Sequence, residues 1–63
     1  MTMCESTAYL KKGDELEKLM ENVIFIQPQD GSVFIEDILG EQKTILGHIQ
    51  EIELLNHKIV IAN

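Results

Sequence analysis

Apolar and polar positions alternate most clearly in the carboxyl half of the chain, and that alternation predicts strands. Asp30-Gly31 stands between Val23-Ile24-Phe25-Ile26-Gln27 and Val33-Phe34-Ile35. Such a dipeptide between apolar runs predicts a β-hairpin, with positive φ favoured at both central turn positions. Pro28 has no amide to give to a ladder and belongs at a strand end or a sheet edge. From Lys43 to Leu55 the inward positions run Ile45, Gly47 and Ile49, and then, one residue out of step, Ile52 and Leu54. The slip at Gln50-Glu51 reads as a bulge, and Gly47 inside the same strand allows a sharp bend. Asn56-His57 predicts a tight reversal into a last strand, Lys58-Ile59-Val60-Ile61.

The segment from Asp14 to Val23 supports two readings. Leu16, Leu19, Met20 and Val23 fall at helical spacing, and Asp14 with Glu17 resembles a capping box, which together predict a short helix. Leu16, Lys18 and Met20 equally fit one side of a strand, with Glu15 and Glu17 on the other. Thr7-Ala8-Tyr9-Leu10 needs an antiparallel neighbour, and Lys12-Gly13-Asp14 is a natural turn to supply one. With that segment as a strand, the chain predicts an all-β domain, a small closed or nearly closed barrel of five strands that leaves no long open edge.

A chain of 63 residues is one domain, spanning residues 1–63, with residues 1–3 expected as a flexible amino-terminal extension. A domain this size buries only about 60% of its unfolded surface, so its core is thin and self-association is the expected supplement. The apolar share of 44% against 25% charged residues fits a folded soluble domain. No apolar run approaches the roughly 20 residues that span a membrane, and the amino end lacks the order of a secretory signal. With a single cysteine, these features predict the reducing cytoplasm. Eleven acids against five lysines, with no arginine, give a formal net charge of -6. Nucleic acid is disfavoured as a partner, because phosphate binding depends on cationic side chains and arginine is the main reader of guanine edges.

Cys4 is the candidate for chemistry. It is the lone cysteine, so it has no internal disulfide partner, and its place near the terminus is not that of a packing residue. One thiolate is too few for a structural zinc site, which takes four protein ligands, but two copies of the chain would bring two. The run Met3-Cys4-Glu5-Ser6-Thr7-Ala8-Tyr9-Leu10 resembles the opening of the CooT family of small nickel-binding proteins. The resemblance continues through Glu21-Asn22-Val23, Asp37-Ile38-Leu39-Gly40, Lys43-Thr44 and Gly47-His48-Ile49-Gln50-Glu51-Ile52. It ends in Leu54-Leu55-Asn56-His57-Lys58-Ile59-Val60.

That resemblance implies a small SH3-like or Sm-like β-barrel, with Asp14 to Met20 as a strand. It also implies a homodimer in which each chain contributes Cys4 to one Ni(II) at the dimer interface, and a metallochaperone role in maturing a nickel enzyme such as carbon monoxide dehydrogenase. The implied partners are a second copy, the nickel ion, and the nickel enzyme or its maturation factors. Relatives also carry the label of predicted RNA-binding proteins, so the alternative is an Sm-like RNA-binding or protein-interaction module without catalytic activity. The chemistry agrees independently: Ni(II) accepts square-planar coordination by thiolate and strong nitrogen donors, and a cysteine near a chain start offers sulfur and main-chain nitrogen as one chelate. Such a site binds deprotonated donors and tightens as pH rises. Family members start at the methionine equivalent to Met3, whereas Met1-Thr2 precede it here. As a cloning remnant or an alternative start, those two residues would deny Cys4 a nearby terminal amine.

The remaining polar residues read more plainly. His57 is a turn residue, and His48 is a surface histidine that could at most tune or cover a site. Asp14, Glu15, Glu17 and Glu21 form a solvated face. Tyr9, Phe25 and Phe34 are expected inside the core or at the dimer contact. No nucleophile, histidine and carboxylate converge at a defensible spacing, so the chain reads as a non-enzyme.

Overall fold

The computed structural model describes residues 6–63 as six strands with no helix. They are β1 (Ser6–Lys12), β2 (Glu15–Gln29), β3 (Ser32–Asp37), β4 (Gln42–Leu46), β5 (His48–Glu53) and β6 (Lys58–Ala62). They hydrogen-bond in the order β4-β3-β2-β1-β6-β5. Neighbours pair antiparallel except β1 and β6, which run parallel from Thr7↔Lys58 to Lys11↔Ala62.

The all-β class is as the sequence indicates, and the closed or nearly closed barrel of five strands expected there is a sheet of six strands that does not close. The sixth strand arises because the single strand expected from Lys43 to Leu55 breaks at Gly47 into β4 and β5. Gly47 has φ 136, and its amide donates to the carbonyl of Gly31 at 3.0 Å. β4 and β5 are thus consecutive in the chain yet form opposite edges of one curled sheet, and no ladder joins them.

The helix expected as one reading of Asp14 to Val23 is absent, because the whole segment pairs with β1 as strand β2. Its helix-like spacing comes from bulges. Ser6↔Val23 is followed by Ala8↔Met20 and then Tyr9↔Lys18, so β2 spends an extra residue twice within that stretch. Asn22, at φ 56, adopts the left-handed conformation that asparagine tolerates better than most residues. Each extra residue shifts the period-2 alternation by one, so Met20 and Val23, three apart, both face the core, while Leu16 stays 43% exposed.

The hairpins match their residues with one correction. Gly13 (φ 61) opens the two-residue turn between Lys12 and Glu15, as in a type II′ turn. In the β2–β3 hairpin Gly31 has φ 81, but Asp30 does not join it at positive φ. The signs are those of a type II turn and not of the expected type I′. Pro28 falls where β2 has run past β1 and pairs only with β3, so its missing amide removes nothing from the sheet. The bulge at Gln50 is present between the pairs Ile49↔Ile61 and Glu51↔Val60.

Ala8, Met20, Val23, Val33, Ile35, Ile59 and Ile61 make the core, with Leu10, Leu19, Ile26, Ile45 and Ile49 packed against it. Of the places expected for the aromatics, core or dimer contact, Phe25 is not in the core. It is 47% exposed on the outer face and meets Phe34 edge to face at 6.0 Å between ring centres, worth about 1 kcal/mol beyond burial.

Candidate metal-binding end of the sheet

The ladders place the starts or ends of four strands, with the middle of a fifth, at one end of the sheet. Ser6 pairs with Val23, and Val23 with Asp37, so the start of β1, the middle of β2 and the end of β3 lie in one row. Thr7 pairs with Lys58, and Lys58 with Glu53, which adds the start of β6 and the end of β5. The chain therefore runs into β1 between two loops, residues 38–41 after β3 and residues 54–57 after β5. Cys4, two positions ahead of Ser6, lies outside the described residues, as does the expected extension, residues 1–3.

The loop after β5 is tied to this point of the chain. Thr7 donates its amide to the carbonyl of His57 at 2.8 Å, and His57 sits at φ 52 with its side chain exposed. His48 is elsewhere. It begins β5 opposite Ala62, at the far end of the sheet, and is likewise exposed. Of the two histidines only His57 shares an end with the segment that bears Cys4, a relationship that sequence spacing could not give. Among the described residues no group of three or more His, Cys, Asp or Glu side chains is gathered to hold a metal ion.

Asp37 is the residue that sequence reading missed as an individual. It occupies the last inward position of β3 and is 7% exposed, the one buried charged side chain among the described residues. Its Oδ1 accepts from the amides of Leu39 and Glu41, both at 2.9 Å. Asp37 N donates to the Glu41 carbonyl, Ile38 N to the Asn22 carbonyl and Gly40 N to the Asp37 carbonyl, each at 3.0 Å. Every amide from Asp37 to Glu41 is thereby satisfied, which accounts for a carboxylate being tolerated at an inward position. The alternation that put Asp37 inward was a signal available in Val33-Phe34-Ile35-Glu36-Asp37.

Four of the five lysines are engaged. Lys12 bonds Glu17 at 2.8 Å, Lys18 pairs with Glu21, and Lys58 stands 3.7 Å from Glu53. Lys43 donates to the carbonyl of Leu19 at 3.0 Å. Hydrogen bonds from Lys12 and Lys18 hold Glu17 and Glu21 below the usual carboxylate range, and Glu21 in turn raises Lys18. The Asn56 side-chain amide, donating at 2.6 Å, is the main cause that lowers Glu53. Asp14, Glu15, Glu17 and Glu21 are exposed, as a solvated face requires.

These features define a small all-β domain of six strands. The family model for CooT, the CO dehydrogenase accessory protein, matches residues 3–62. An uncharacterised protein of Methanothermobacter thermautotrophicus is 42% identical over 59 residues, covering 94% of this chain and 88% of that protein. A crystal structure assigned to CooT from Carboxydothermus hydrogenoformans superposes with a TM-score of 0.87 at 32% identity, covering 95% of this chain and 97% of that one. The chain belongs to the CooT family of CO dehydrogenase accessory proteins, and its role is accessory and not catalytic. No helix among the described residues is long and apolar enough to cross a membrane.

Proposed function

We propose that this protein carries nickel for the maturation of a nickel enzyme such as carbon monoxide dehydrogenase, binding one Ni(II) per homodimer through Cys4 of each chain. The observation that carries the reading is family membership over residues 3–62, a span that begins one residue before Cys4. The fold is compatible with it. Cys4 is two positions ahead of Ser6, where β1 starts, a reach of at most about 7 Å between their Cα atoms. A second copy meeting the first there would supply two sulfurs and, from the main chain, two nitrogens, which is a donor set Ni(II) accepts in a square plane. The ion is cargo in this reading, so the site is open to exchange and not a structural centre.

The alternative, an Sm-like module for RNA, has less support. Four of the five lysines are engaged with Glu17, Glu21, Glu53 or the Leu19 carbonyl, and the net charge is -6. Neither supplies a basic face.

The test is a nickel titration of protein beginning at Met3, followed by absorption for a thiolate band and by light scattering for mass. The reading expects a dimer with or without metal and one ion per two chains. A monomer at tens of micromolar, unchanged by nickel, would refute it.

A further inference from the structure

We draw no further inference here: the strongest candidate, the exposed surface patch made by Leu39 and Leu55 on the loops of residues 38–41 and 54–57, lies at the end of the sheet where β1 starts and belongs to the site already described.

Discussion

Gly47 lies so close to Ala62 that a Cβ on it would stand 2.3 Å from the Ala62 carbonyl oxygen and 2.9 Å from its carbonyl carbon. Those are main-chain atoms of β6 and have no rotamer by which to withdraw. The φ of 136 is a second obstacle, since residues with a side chain rarely adopt it. Gly47→Ala is expected to destabilise the domain by about 2–4 kcal/mol, as for overpacking combined with a backbone conflict. Urea unfolding checks this, and a midpoint within error of the parent would contradict the account of the β4–β5 corner.

Asp37 makes a separate prediction. Asp37→Ala leaves the amides of Leu39 and Glu41 without their acceptor, and each unsatisfied group costs roughly 1–3 kcal/mol where water cannot reach it. Partial hydration of this loop reduces the sum, so a loss of about 2 kcal/mol is expected. Hydrogen exchange should quicken first at Leu39, Gly40 and Glu41, before the β1–β2 ladder changes. Asp37→Asn, which keeps an acceptor oxygen, should lose less.

The pH dependence has a defined sign. Glu17, Glu21 and Glu53 have lowered pKa values in the folded protein, so their stabilisation is present above the ordinary glutamate pKa and lost as pH falls through the lower folded values. Lys18 is raised, so its contribution is present below the ordinary lysine pKa and lost as pH rises through the higher folded value. Glu17, Lys18 and Glu21 are exposed and Glu53 is half-buried, and solvent screening keeps each effect small. Melting temperature should be nearly flat from about pH 5 to 9 and fall on the acid side. A maximum below pH 4 would contradict this assignment of ion pairs.

Nucleic acid supplies a further check. With the lysines engaged as described, single-stranded RNA should bind weakly and be released at moderate salt. Submicromolar affinity near physiological salt, measured by fluorescence anisotropy, would favour the RNA-binding alternative over the nickel carrier.

Much of the fold was legible because its signals are local. Asp30-Gly31, the Gln50 slip and the bend at Gly47 each mark themselves within a few residues, and each has its counterpart in the sheet. The β2 segment was not, since bulges at sites set by pairing with β1 turn a period of two into an apparent helical spacing. The parallel pairing of β1 with β6 joins residues about fifty positions apart and leaves no local mark. For the same reason the sequence could not separate His57 from His48: which end of the sheet each occupies depends on that long-range ladder. Cys4 is put forward by the family's opening pattern, since a lone cysteine carries no spacing to read, and it lies outside the described residues.

The central claim is that Cys4 is the nickel ligand, and nickel titration of Cys4→Ala beside the parent tests it most directly. The account predicts that Cys4→Ala keeps its fold and dimeric mass but takes up no nickel and shows no thiolate-to-nickel absorption. His48→Ala and His57→Ala should bind within about tenfold of the parent, the scale of groups that support a ligand without being one. Nickel uptake by Cys4→Ala at unchanged stoichiometry, or its loss in a histidine variant instead, would contradict the claim and place the ion elsewhere.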